Sequence, residues 1–287
     1  MYLLNKLKRK SVWKRVFYER LNEPLHLNLI SFFVYLFGSY RHKIDFDLIV
    51  RQQFAYGILK SAEIAQSHKL NTVSILEFGV ASGAGLLNMA KIAARVTKET
   101  NVSFKIYGFD TGTGMPPAKD YRDHPELYQE GDFEMNTDKL KNSLPENTTL
   151  ILGEVGDTVT DFLSKLSEQE PIGFVSIDVD YYHSTKDALK VFCGSPEKYL
   201  PVTTVYLDDI RSWTHNSYCG ELLAVNEFNC ENEFRKIEHH RFFENYRIFT
   251  RAKWIKHVYQ LHVLDHPRRC NVTPRERRRF LDNPYLA

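Results

Sequence analysis

Two short runs hold the residues best suited to chemistry. The first is Ile177-Asp178-Val179-Asp180-Tyr181-Tyr182-His183-Ser184-Thr185, and the second is Tyr206-Leu207-Asp208-Asp209-Ile210. Each begins in an apolar, β-branched stretch and reads as the end of a buried strand. If the first strand persists, Asp178 and Asp180 share one side of it. Adjacent parallel strands lie about 4.8 Å apart, which brings four carboxylates together. Unpaired carboxylates that close repel one another and raise their own pKa values. A hard divalent cation removes that conflict, and oxygen-only donors favour Mg2+, Ca2+ or Mn2+ over zinc. The plainer reading is that these acids cap helices or pair with Lys186, Arg211 or His183.

A second motif is glycine-rich: Glu77-Phe78-Gly79-Val80-Ala81-Ser82-Gly83-Ala84-Gly85, between a strand and a helix. Glycines there let the chain turn tightly and let a ligand approach the backbone. The spacing is G-x-x-x-G-x-G led by an acid, not the G-x-G-x-x-G of a dinucleotide site. Asp110 ends the next strand, in Tyr107-Gly108-Phe109-Asp110. An acid there can accept both ribose hydroxyls of a nucleoside. Its plainer role is to start a turn with Thr111 and Gly112.

These residues need a frame to hold them. Helical spacing of apolar residues predicts a helix over 46–69, and strand-like runs occupy 73–79 and 104–110, with a helix over 85–97 between them. Further strands are expected at 149–153, 172–180 and 203–210, alternating with helices at 157–167, 184–192 and 221–229. Tail segments 235–240, 246–250 and 254–264 read as strands closing a sheet edge. Repeated β-α units imply a three-layer α/β fold on a mainly parallel sheet with an antiparallel edge. Ligands of such sheets bind beyond the C-terminal strand ends, where each motif falls. Loop 111–135, with Tyr121, Arg122, His124, Tyr128 and Phe133, is long enough to serve as a lid. The histidines 239, 240, 262 and 266 read as ordinary polar positions, and Phe242, Phe243, Tyr246 and Phe249 as core.

The acid-led glycine motif resembles the first motif of class I S-adenosylmethionine-dependent methyltransferases. With the two acidic runs, the chain over 75–250 resembles the metal-dependent sugar O-methyltransferases of the macrocin O-methyltransferase type. It keeps Asp178, Asp180, Tyr182, Ser184, Thr185, Asp208 and Asp209 in that family's arrangement. It is also similar to bacterial methyltransferase-like proteins that share the runs 107–116, 120–133 and 220–229. The resemblance implies a Rossmann-like class I methyltransferase fold. It implies S-adenosylmethionine held by Glu77, Gly79, Ala81, Ser82, Gly83, Gly85, Asp110 and Thr111. It further implies Mg2+ on Asp178, Asp208 and Asp209, with Asp180 as proton acceptor. The family often has Glu where His183 stands, so Asp180 and His183 both remain candidates for the base. The acceptor implied is a hydroxyl of a sugar, glycan precursor or related small molecule. A metal-independent enzyme, a cofactor-binding protein without turnover and a metal-dependent nucleotide-sugar transferase are the rival readings.

Composition narrows the rest. The chain has 287 residues, 43% hydrophobic and 26% charged, as in an ordinary globular protein. Its net charge of +2 is uneven: +7 over residues 1–44, +3 over 265–287, leaving −8 for the body. An acidic body argues against a nucleic-acid groove. Four cysteines without a C-x-x-C pair fit a reducing cytosol and suggest neither zinc nor a disulfide framework. Residues 27–40 are apolar and follow a basic stretch, but are too short to span a membrane and lack a cleavage site. Residues 1–44 therefore read as a retained helical extension before a domain at 45–287. The extension suits peripheral contact with the inner face of a membrane, or packing against a partner subunit or its own domain.

Overall fold

The computed structural model describes residues 16–270. A π-helical turn, Val16–Arg20, leads into helices α1 (Leu25–Phe37) and α2 (Tyr40–Asp45). The α/β body follows as α3 (Gln52–Ser67), β1 (Thr72–Phe78), α4 (Ala84–Thr100), β2 (Ser103–Asp110), α5 (Thr137–Lys141) and β3 (Thr148–Leu152). It continues with α6 (Val155–Lys165), β4 (Ile172–Ile177), α7 (Tyr182–Leu189), β5 (Tyr199–Leu207) and α8 (Gly220–Glu231). The last strands are β6 (Arg235–His239) and β7 (Val258–Val263).

Seven strands form one sheet in the order β3-β2-β1-β4-β5-β7-β6. The first five are parallel, and β7 runs antiparallel to both β5 and β6. Strand alternation divides the core between two faces. In β1, Val73 and Ile75 join a cluster with Phe54 and Ile58 of α3 and Met89 and Val96 of α4. Leu76 and Phe78 face the other side, toward Val159 and Phe162 of α6, Leu189 of α7 and Phe228 of α8. Each such side chain contributes roughly 1.5–3 kcal/mol when removed from water. The expected three-layer α/β architecture with an antiparallel edge is present.

Three local expectations fail. Strand β4 stops at Ile177 rather than 180, because Asp180 takes a left-handed backbone (φ 58°) that turns the chain. Segment 246–250 is not a strand: Phe243–Tyr246 is a 3-10 turn, and Phe249 is buried against Phe46. The final strand begins only at Val258, after a 3-10 turn at Lys253–His257. Phe243 and Phe249 do belong to the core, whereas Phe242 and Tyr246 are exposed. No helix among the described residues is long and apolar enough to cross a membrane.

The entry to the body is pinned by a buried charge pair. The Arg247 guanidinium donates to Asp47 Oδ1 (2.7 Å) and to the carbonyl of Ile44 (3.0 Å), and Trp254 Nε1 donates to Asp47 Oδ2 (3.3 Å). Both charged side chains are almost fully shielded. Asp47→Asn preserves shape and backbone but leaves the guanidinium without its nearest counter-charge. It should lower stability by about 3 kcal/mol in urea denaturation, the cost of stranding one partner of a buried pair.

Candidate active site

The glycine-rich turn is built by close approach. Gly79 (φ 83°) has no room for a side chain, since a Cβ there would fall 1.8 Å from the carbonyl oxygen of Asp178. A Cβ on Gly85 would fall 1.8 Å from Glu77 Oε1, so the Glu77 carboxyl fills the space beneath the first turn of α4. Asp110 holds the turn in shape. Its Oδ2 accepts the N–H groups of Val80 and Ala81 (both 2.8 Å), and its Oδ1 accepts that of Gly112 (2.7 Å). Thr111 Oγ1 donates to the Gly114 carbonyl (2.8 Å).

A cavity of about 400 Å3 opens here and continues to the ends of β4 and β5. That is the size of a small-molecule site. Gly79, Ala81, Asp110 and Thr111 line it, as do Asp178, Asp180, Asp208 and Asp209. Glu77, Ser82, Gly83 and Gly85 do not. Glu77, Gly83 and Gly85 are buried within the turn, and Ser82 is exposed.

The acidic runs converge although Asp178 and Asp180 do not share a strand face. Backbone bonds extend the sheet by one residue: Asp178 N–H donates to Phe78 O (3.0 Å), and Asp208 N–H to Ile177 O (3.1 Å). Carboxylate oxygens of Asp178, Asp208 and Asp209 lie within 4.8 Å of one another. Tyr206 Oη donates to Asp208 Oδ1 (2.9 Å), and Tyr128 Oη to Asp209 Oδ1 (3.4 Å). Asp209 N–H donates to Glu221 Oε2 (3.1 Å). Asp209 Oδ2 and Glu221 Oε1 are buried without a partner.

The electrostatic result is a set of reluctant acids. Burial, reinforced by Asp208 and Asp180, pushes Asp178 up to about 7. Burial and the three other aspartates push Asp209 up to about 9. Burial also raises Asp180, and holds Glu221 well above the usual carboxylate range with Asp209 beside it. Arg51, next to α3, is the cation that acts against these shifts at Asp178 and Glu77.

The long loop closes one side. Met115 N–H donates to Asp132 O (2.8 Å) and Gly131 N–H to Met115 O (2.9 Å), and Met115, Pro116, Tyr128, Asp132 and Phe133 line the cavity. His183 is not among the lining residues. Its Nδ1 lies 2.9 Å from Asp123 Oδ2, and Asp123 Oδ1 accepts its backbone N–H (3.0 Å). Arg122 pairs with Asp120 (2.7 Å) and lies over the Tyr182 ring, 4.5 Å from its centre. The rings of His124 and His215 are 5.1 Å apart, and both Nε2 atoms are buried without a partner.

Several of these residues escape a reading of the sequence. Glu221 lies in the run 220–229 and opens a helix, which hides its burial beneath the acid pair. Tyr206 precedes Asp208 by two residues, the strand spacing that puts both side chains on one side. His215 and Arg51 carry no local signal, because loops bring them in, and His124, read as part of the loop, gives no sign of its pairing with His215.

Residues 76–210 match the model of a methyltransferase domain family. A search of curated proteins returns no match. Among solved structures, the calicheamicin methyltransferase CalS11 is 23% identical, covering 62% of this chain and 72% of that one, with a TM-score of 0.46. Its apo form, a TDP-rhamnose 3'-O-methyltransferase, matches at 20% identity over the same shares with a TM-score of 0.36. The plantazolicin methyltransferase BpumL with SAH is 11% identical, covering 91% of this chain and 99% of that one, at a TM-score of 0.34.

Burial lifts Glu77 from 4.5 to about 8. The stability that its protonated form contributes is fully present below the unfolded value. It is lost as pH rises through the folded one. Glu77→Gln should therefore flatten the fall in unfolding free energy across that window, measured by urea denaturation in EDTA. An unchanged slope would mean that Glu77 is ionised in the folded protein.

Proposed function

We propose that this chain is a class I S-adenosylmethionine-dependent methyltransferase that methylates a hydroxyl oxygen of a sugar, glycan precursor or related small molecule, a reading supported by its fold and its match over 76–210. One observation carries the reading. The glycine-rich turn with Asp110 and the four aspartates that follow β4 and β5 border a single cavity. A methyl donor held at the first would face an acceptor held at the second.

The donor set suits a hard divalent cation. Asp178, Asp208 and Asp209 offer only oxygens, lie close enough to share an ion, and include a buried oxygen without a partner. When bound there, Mg2+ would polarise the acceptor oxygen and lower its pKa. The chain's own residues supply the rest. Gly79 and Ala81, which line the cavity, would form the floor of the cofactor site. Tyr206 and Tyr128 orient Asp208 and Asp209 through their hydroxyls. Asp180 borders the cavity and is the proton acceptor in this reading. His183 is engaged by Asp123 and supports the loop instead. Tyr128 and Phe133 line the cavity on the loop side and would shield the reacting groups from water if the loop closed.

The first experiment is calorimetric titration of S-adenosylmethionine with Mg2+ and with EDTA, followed by assays on a panel of sugars and nucleotide sugars. Cofactor binding and methyl transfer that fails in EDTA and in Asp208→Ala are expected. Asp180→Asn should cut kcat by about 10²–10⁴-fold, the usual effect of removing a general base, with cofactor affinity retained. Full activity in EDTA would overturn the metal role. An unimpaired Asp180→Asn enzyme would move the base elsewhere.

A further inference from the structure

Helix α1 is apolar almost all round yet uncovered. Its thirteen residues, LHLNLISFFVYLF, contain no Lys, Arg, Asp or Glu. Only Ser31 is buried, while Leu25, Leu29, Phe32, Phe33, Leu36 and Phe37 are all exposed, Phe37 to 82%. A helix of this kind is ordinarily buried. An apolar surface of this extent on a soluble protein marks an interaction site. The helix is held on its inner side, where Asn28 Nδ2 donates to the Arg20 carbonyl (2.8 Å) and Arg20 reaches the carbonyls of Phe46 and Asp47. Its apolar side is therefore presented by a fixed support.

Charge identifies what would cover it. Tyr40, three residues past Phe37, forms part of a groove of about 590 Å3 that also includes Lys91, Arg95 and Lys98 of α4. These three cations sit at i, i+4 and i+7 on one exposed helix face. None is in an ion pair among the described residues. Glu99 of the same helix accepts the backbone N–H of Tyr40 (3.2 Å). In the sequence, residues 1–20 add seven Lys and Arg against the single acid Glu19. An apolar helix without Lys, Arg, Asp or Glu thus has a basic segment before it in the sequence and a basic groove beginning at Tyr40, three residues past its end. A twofold contact with a second copy would bring these like-charged flanks together. An anionic bilayer would attract them.

We propose that α1 and the Lys91–Arg95–Lys98 groove beside it form a docking surface for an anionic lipid bilayer. The helix is about 20 Å long, too short to cross a hydrocarbon core of about 30 Å. It lies in the interface, with Leu29, Phe32, Phe33 and Leu36 among the upper acyl chains. Lys91, Arg95 and Lys98 meet lipid phosphates. The proposal does not depend on the acceptor or the metal, since none of these residues borders the cavity at the aspartates.

The test uses the full chain and flotation with vesicles of phosphatidylcholine alone or mixed with phosphatidylglycerol. Binding to the mixed vesicles, weakened by salt, is expected. Phe32→Ser with Phe33→Ser should abolish it. Lys91→Gln with Arg95→Gln should weaken it by about thirtyfold, the loss of two basic residues at an anionic surface. Both double variants should keep the thermal transition of the parent. Absence of binding to the mixed vesicles would overturn the proposal, as would equal binding to both compositions. So would a dimer in sedimentation velocity that Phe32→Ser with Phe33→Ser dissociates.

Discussion

Repulsion among carboxylates at the ends of two neighbouring strands is the constraint around which this molecule is organised. At about 4 Å, two such charges cost on the order of 4 kcal/mol in the effective dielectric near a protein surface. Hydrogen bonds relieve this only in part. Glu221 adds a fifth carboxyl beneath Asp209. Tyr206 and Tyr128 donate one bond each and bring no charge. Arg51 acts on Asp178 and Glu77 only against a larger burial effect. Such an arrangement stores its charge conflict until protons or a cation resolve it.

The sheet makes this possible. Parallel strands β1, β4 and β5 all end at the same rim, so three loops with different tasks meet there. The glycine-rich turn can pass within contact of Asp178 only because Gly79 has no side chain. Asp110 spends its carboxylate on three backbone N–H groups of neighbouring loops. That fixes the turn before any ligand arrives, and leaves Asp110 with fewer free acceptor sites than a ribose-binding role alone would suggest. The preorganised turn and the frustrated acids are therefore separate devices, one rigid by hydrogen bonding and the other poised by charge.

Much of this was legible because period and punctuation agree. Val73–Phe78 and Phe104–Asp110 are short apolar runs bounded by Gly or Asp, and both are strands. The acidic residues were legible as a group, but their geometry was not. Alternation in IDVD implied a longer strand, whereas Asp180 reaches the cluster by turning out of it at positive φ. YRIFT carried a strand-like pattern for a different reason. Phe249 is buried by Phe46 and by Arg20, whose guanidinium carbon lies 3.7 Å from the centre of its ring. Glu221 was invisible as a site residue, because an acid at a helix start is ordinary until its burial is known.

His183 has contacts that its place in the sequence does not show. As a residue beside Asp180, it is of a type that often serves as a general base. In the fold, Asp123 accepts its backbone N–H and faces its ring nitrogen, while also accepting the N–H of Lys119 (2.9 Å). Asp123 is completely buried. One carboxylate thus ties the long loop to the first turn of α7, directly after the Asp178–Asp180 turn. The loop that carries Tyr128 and Phe133 over the cavity is then anchored to the same short segment that supplies two of the aspartates. The loop and the acids therefore share one anchor, which couples their positions. The histidine's contribution to such coupling comes from its hydrogen bonds to Asp123, a role that residue type alone does not reveal.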